Sequence, residues 1–294
     1  MRSFGQLREA LLSMGERCRL AVVCPRDTDS REAVQTAVEA GIAEPVIFDN
    51  DDHAEACRQA VAAVRRGEAD VLMKGQVNTD VLLRAILDKQ EGLLPPGRVM
   101  THIACAEWPA EEAMHGGSEQ KRLLFFTDPA VIPYPSDEQR LAQVEYMVSV
   151  CRSIGINEPR IALVHCTEKV SEKTFPFLAS YRLLKQQAAA GCFGPCIVDG
   201  PLDLKTSLSA AALKKKRLLS PLEGRADALV FADIEAGNVF YKTITLFGCA
   251  TAGMLVGPCA PVVLPSRGDT TTSKLASIVL AEIFKVKGGN ALDS

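Results

Sequence analysis

Ser266, Arg267 and Asp269 stand almost side by side, directly after the apolar run Val262-Val263-Leu264 and Pro265. A hydroxyl, a guanidinium and a carboxylate at one strand end are the parts of a reactive site. The planar fork of Arg267 suits a phosphate or a developing oxyanion. Asp269 can act as a base if a proton donor lies within reach, or it can cap the helix that follows. Both roles remain open at this level.

Lys74 and Gly75 follow another apolar run, "DVLM", and Asn78 and Thr79 then open a helix. The first amides of a helix point outward and carry partial positive charge, so they hold phosphate, and Lys74 would add a full charge. A plain N-cap at Asn78 or Thr79 is the competing reading. The design repeats after "ALVF", where Asp233, Gly237, Asn238 and Lys242 surround a second helix start. Taken alone, that stretch reads more simply as a capped helix.

Strands must position these residues. The runs at 19–24, 45–48, 70–73, 123–127, 160–165, 196–198, 228–231 and 262–264 are continuous rather than alternating. Continuous runs fit parallel strands covered on both faces. Helical patterns separate them, among them 30–41, 136–154, 171–190 and 271–287. Alternating strand and helix predicts an α/β fold with mostly parallel sheets. Ligands of such sheets bind beyond the carboxyl ends of the strands. Besides the groups already named, those ends carry Asp128, Thr167-Glu168-Lys169 and Asp199-Gly200-Pro201.

The chain has 294 residues, which predicts more than one domain. Prolines crowd "TDPAVIPYPSDEQ" and "GPCAP". Crossings there would give one domain from 1–130 plus 262–294 and a second from 131–261. The net charge of −3 argues against a nucleic-acid partner. Glycines and prolines interrupt the uncharged stretch 243–265, which argues against a membrane span. Ten cysteines without an apolar leader predict reduced thiols and a cytoplasmic protein. Cys192 and Cys196 lack the spacing and partner pair of a zinc site. His165 ends a strand and could reach a site, though a structural role is the plainer one, and "KKKR" (214–217) reads as a solvated helix face. No dinucleotide, P-loop, zinc-protease or nucleophile-elbow motif is present.

Five segments, in order, resemble the phosphate acetyltransferase/phosphate butyryltransferase family. They are "LMKGQVNTDVLLRAIL", "RLLFFTD", "CIVDGPLDLKTSLS", "ADALVFADIEAGNVFYKTIT" and "PVVLPSRGDTTTSKLASI". Chain length and the position of Asp269 resemble the butyryl branch. The resemblance implies two α/β/α domains with an active-site cleft between them, as in isocitrate- and isopropylmalate-type dehydrogenases. It implies reversible transfer of a short acyl group between coenzyme A and phosphate, with coenzyme A as substrate, no cofactor, no metal, and a homodimer or larger assembly. Ser266 and Arg267 match the family's pair at the reacting carbonyl. The acetyl enzymes place an aspartate seven residues after that serine, where this chain has Ser273. Asp269 is the nearest carboxylate in sequence. The other expectations are an NAD- and metal-dependent hydroxy-acid oxidoreductase on the related fold, or a non-catalytic acyl-CoA-binding homologue.

Overall fold

The apolar runs form strands in the computed structural model, which describes residues 1–109, 121–266 and 268–288. The chain divides into two units, one made of Phe4–Met100 with the segment from Ala250 onward, the other chiefly of Thr101–Cys249. The crossings therefore fall at 100/101 and 249/250, upstream of the proline clusters near 130 and 262. A local reason is visible in the second unit. There the strand Thr101–Pro109 pairs antiparallel with Lys121–Thr127, which ties residues before 130 to that unit.

In the first unit, strands β1 (Cys18–Val23), β2 (Ala43–Phe48) and β3 (Val71–Lys74) alternate with helices α1 (Phe4–Met14), α2 (Thr28–Glu39), α3 (His53–Arg65) and α4 (Thr79–Ile86). β1 lies between β2 and β3, and all three run parallel. Leu20 to Val23 have no exposed surface, so helices cover both faces of this strand. β2 differs from the buried strand expected of "PVIF". It is an edge strand, and Val46 and Ile47 remain exposed because, among the described residues, only β1 pairs with it. Asp27 starts α2 by accepting the Ser30 N–H at 2.8 Å, and α2 buries Ala33, Val34 and Ala37.

The second unit contains β4 (Thr101–Pro109), β5 (Lys121–Thr127), β6 (Arg160–Val164), β7 (Ile197–Leu202) and β8 (Ala228–Val230). β8 sits between β5 and β6, and β5, β8, β6 and β7 run parallel. Its helices are α5 (Asp137–Ser153), α6 (Leu178–Ala189), α7 (Leu204–Leu208), α8 (Ala210–Lys216) and α9 (Ile234–Leu246). Ser136 and Gln139 cap α5 reciprocally, side chain to backbone in both directions. α6 begins later than the 171–190 pattern suggests. Pro176 keeps Phe175 out of helical geometry, and the helix starts only after Phe177. The chain returns to the first unit through β9 (Thr251–Val256) and β10 (Val262–Val263). It ends there in α10 (Thr271–Val286). β10 runs parallel to β3 and antiparallel to β9.

Asp128, at the end of β5, is a buried polar anchor. Its carboxylate accepts from the Thr101 hydroxyl at 2.7 Å and from the amides of His102, Ala130, Val131 and Ile132 at 2.8–3.3 Å. Removing it orphans several buried donors at once. Asp128→Ala is expected to destabilise the chain by ~3 kcal/mol or more, since each unpaired buried donor costs about 1–3 kcal/mol. Denaturant unfolding checks this, and a loss below about 1 kcal/mol would contradict the anchor role.

Candidate functional site

The order β2-β1-β3 makes the sequence reverse direction across the sheet between β1 and β3. A crevice opens beyond the carboxyl ends of strands at such a switch point. Val23 of β1 pairs in register with Lys74 of β3, and Met73 with Val263 of β10. The segments leaving these three strands therefore emerge side by side. They enclose a cavity of about 530 Å³ lined by Arg26, Asp27, Ser30, His53, Lys74, Gly75, Gln76, Asn78, Pro265, Ser266 and Lys274.

Lys74, Gly75, Asn78 and Ser266 thus meet at one place, as the strand-end argument expects. Lys74 is only 3% exposed, and its ammonium donates to the carbonyls of Gly75 and Val77 at 3.2 and 3.4 Å. Gly75 presses against β1. A Cβ there would lie 2.4 Å from the carbonyl oxygens of Val23 and Cys24, so only glycine lets this turn reach the crevice. Asn78 occupies the N-cap position of α4, but its side chain does not bond the helix's first amides. Those amides keep the partial positive charge of a helix start. Thr79 begins α4 and is exposed.

Asp269 accepts the Ser266 N–H at 2.8 Å, and its own N–H returns to the Ser266 carbonyl at 3.2 Å. It therefore fixes the backbone of Ser266. It does not cap α10. Thr270 does so, accepting from Ser273 N–H at 3.2 Å. The position where the acetyl enzymes hold an aspartate, Ser273, lies in the first turn of α10. Arg267 lies outside the described residues.

Two further groups line the cavity, and local sequence singles out only one of them. Lys274, 3% exposed, donates to Asp27 at 2.7 Å and to the Ser30 hydroxyl at 3.1 Å. Burial pushes the Asp27 carboxyl up, but hydrogen bonds from Lys274 and Ser30 outweigh it and hold the group at about 2. Asp27 had a signal, because it follows β1 as Lys74 follows β3. Lys274 had none, since a lysine one turn into a helix reads as solvated. Arg26 is turned toward Asp49 and Asp51, at 2.7 and 3.0 Å. The cavity thus combines cations, a helix start and one tightly held carboxylate.

The remaining expected groups lie in the second unit. Asp233 caps α9 by accepting the Ala236 N–H at 2.8 Å. Gly237 is buried, and a Cβ there would meet the Asp128 carbonyl oxygen at 2.5 Å. Asn238 donates to the Pro129 carbonyl at 2.9 Å. Lys242 is exposed, with its ammonium 4.9 Å from the Tyr241 ring centre. Of these four, Asp233 borders a second cavity. That cavity lies where β6 and β8 reverse the strand order, and His165 also lines it. Lys216 of the basic run bridges Glu168 and Asp203, both at 2.6 Å, while Lys214 and Lys215 stay in solvent. No disulfide joins any of the ten cysteines, and burial pushes Cys18 to about 12 and Cys57 to about 11. No described helix is long and apolar enough to cross a membrane.

A mixed α/β chain with lysines and a helix start gathered at a switch point has the architecture of an enzyme that handles small anions. Comparison with known proteins narrows this. The chain belongs to the phosphate acetyl/butaryl transferase family, whose model matches residues 49–282. It is 33% identical to a phosphate acetyltransferase of Thermotoga maritima, covering 93% of this chain and 97% of that protein. It is 34% identical to a phosphate butyryltransferase of Clostridium acetobutylicum, covering 90% and 92%. A solved branched-chain phosphotransacylase from Enterococcus faecalis superposes with a TM-score of 0.78 at 27% identity, covering 90% and 98%.

Proposed function

We propose that this chain transfers an acyl group reversibly between coenzyme A and inorganic phosphate, as an acyltransferase. Family membership over most of the chain carries this reading, and the cationic switch-point cavity supports it. In one direction a coenzyme A thiolate attacks the carbonyl carbon of an acyl phosphate. A C–S bond forms, the C–O bond to phosphorus breaks, and phosphate leaves. The thiolate is the nucleophile, so a group must take the thiol proton. Asp269 is the proposed base, and Ser266 and Arg267 are proposed to face the carbonyl whose oxyanion develops. Lys74, Gly75, Asn78 and Thr79 are proposed to hold the phosphate, with Lys274 beside them. Asp233, Gly237, Asn238 and Lys242 are proposed to serve the coenzyme A thioester.

No metal or resident cofactor takes part in this scheme, because lysine and backbone donors can hold the charge that develops. The relatives named above are a phosphate acetyltransferase, a phosphate butyryltransferase and a branched-chain phosphotransacylase, and a short acyl chain, acetyl or butyryl-like, is the proposed substrate. A homodimer is the proposed assembly. Leu246 and Phe247, at the end of α9, are 82% and 81% exposed, which supports a surface that a second copy covers. Ten cysteines with no disulfide among them support the proposal of a reducing, cytoplasmic setting.

Thiol release from butyryl-CoA is expected only with phosphate present, and EDTA should leave it intact. Release without phosphate, or strict metal dependence, would overturn the scheme. Arg267→Lys should lower kcat by about 10²-fold or more, since a point charge cannot replace the planar fork at an oxyanion. Near-normal kcat in that variant would remove Arg267 from the chemistry.

A further inference from the structure

Arg26 differs from the two lysines of the first-unit cavity in how firmly it is held. Lys74 and Lys274 are buried, and Lys274 is bound to Asp27 and Ser30. Arg26 lines the same cavity but keeps 36% of its side chain in solvent. Its guanidinium donates to Asp49 at 2.7 Å and to Asp51 at 3.0 Å. Asp49 is itself exposed, and Asp51 fully so. Exposed ion pairs of this kind shift an equilibrium by about fivefold at most. A guanidinium fork on a phosphate is instead charge-assisted and bidentate. Charged hydrogen bonds of that sort are worth about 10- to 100-fold each.

The backbone beneath this side chain is fixed. Cys24, fully buried, sits at φ +45°, a conformation that residues other than glycine rarely adopt. Its N–H donates to the Phe48 carbonyl at 2.9 Å. Its carbonyl accepts the Gln76 N–H at 2.7 Å and the Arg26 N–H at 2.8 Å. β1 thus turns sharply between the segments that leave β2 and β3. Strain of this kind persists where its surroundings enforce it, and it gathers at ligand clamps. The turn sets Arg26 at the rim, in reach of both the acidic segment 49–51 and the cavity.

We infer that Arg26 is a phosphate-binding residue, held back by Asp49 and Asp51 until phosphate enters the cavity and then closed on it. The inference rests on the acyl-transfer reading proposed above, in which this cavity holds phosphate. The stronger bond wins, so bound phosphate takes Arg26 from the two aspartates. Only side-chain torsions have to change, because the turn at Cys24 already points the residue at the crevice. Before binding, Arg26 masks two negative charges that would repel an arriving anion. After it moves, both carboxylates stay in water, which solvates and screens them.

The experiment measures KM for phosphate and for butyryl-CoA in the wild type, in Arg26→Gln, in Asp49→Asn/Asp51→Asn and in the triple variant. All three side chains reach the surface, so the variants are expected to fold. Arg26→Gln should raise the phosphate KM by about tenfold or more and leave that of butyryl-CoA unchanged. Replacing both aspartates should lower the phosphate KM by about three- to fivefold, because Arg26 is then released. In the triple variant that gain should vanish. An unchanged phosphate KM in Arg26→Gln would overturn the inference. A raised KM for butyryl-CoA alone would overturn it in favour of the phosphates of coenzyme A. A gain that persists without Arg26 would overturn the holding role and leave only a general field of the aspartates. The rise in melting temperature with inorganic phosphate, read on the same proteins, needs no turnover. If the wild type transfers nothing yet phosphate stabilises it more than Arg26→Gln, the transferase reading falls and the anion-binding role of Arg26 stands. Equal stabilisation of the two would overturn that role as well.

Discussion

Lys74→Met is expected to lower kcat/KM by about 10²-fold or more, with most of the loss in the KM for phosphate. The side chain comes off the end of β3, and almost none of it is exposed. Methionine keeps the length and apolar stem that pack there and removes only the charge. A phosphate in the cavity would then lose a charge-assisted donor, and charged hydrogen bonds are worth about 1.5–3 kcal/mol each. Developing charge in the transition state raises the loss further. Stability should not follow activity. Burying an ammonium is costly even when carbonyls receive it, so the variant should melt at or above the wild-type temperature. The measurement is the KM for phosphate and the melting temperature on the same preparation. A normal phosphate KM would take Lys74 out of the anion site. A large fall in melting temperature together with the activity would make it a packing residue.

Glu282→Gln is expected to stabilise the protein at alkaline pH by several kcal/mol, because a raised pKa costs about 1.36 kcal/mol for each pH unit between the unfolded and folded values. Glu282 lies on the last turns of α10 with no exposed surface, and neither carboxyl oxygen has a hydrogen-bond partner. Burial, then the negative charge of Asp70, pushes its pKa from 4.5 to about 9. The folded protein therefore holds a proton that the unfolded chain releases above pH 4.5. For a group whose pKa is raised on folding, stability is fully present below the unfolded pKa. It is lost as pH rises through the folded one. The wild type should lose stability steadily between pH 5 and pH 9, and Glu282→Gln should lose much less. Urea unfolding of both proteins at pH 5 and pH 8.5 checks this. Curves that stay parallel would show that Glu282 is neither buried nor neutral.

The parts of this protein that could be read from sequence are those whose signal is local. Runs such as "RLAVV" and "RIALV" are apolar because helices cover both faces, and they became β1 and β6. Lys74, Asn78 and Ser266 could be placed because each follows such a run. β4 carries no such signal, since Thr101, His102 and Glu107 interrupt its apolar run and its partner β5 is antiparallel. β9 was hidden by Gly253 and by its position inside a stretch broken by glycine and proline. The proline cluster after Thr127 looked like a crossing between domains. It is instead a turn held by Asp128, whose donors come from β4 and from the turn itself.

The pairing of Lys274 with Asp27 joins residues far apart in the chain, and only the placement of α10 against α2 brings them together. Asp269 illustrates a different limit. A carboxylate ahead of a helix looks like a cap, yet Thr270 takes that role and Asp269 turns back to Ser266. The second-unit cavity was equally hidden, because the pattern over 171–190 reads as one helix while Phe175 and Phe177 precede α6 and form its wall.

Phosphorus NMR of the reaction mixture tests acyl transfer to phosphate most directly. The purified chain is incubated with butyryl-CoA and inorganic phosphate, and the phosphorus signals are followed alongside thiol release. The predicted result is a new acyl phosphate resonance that grows in proportion to the coenzyme A released and disappears when excess coenzyme A is added. Release of coenzyme A and free butyrate with the inorganic phosphate signal unchanged would contradict the account.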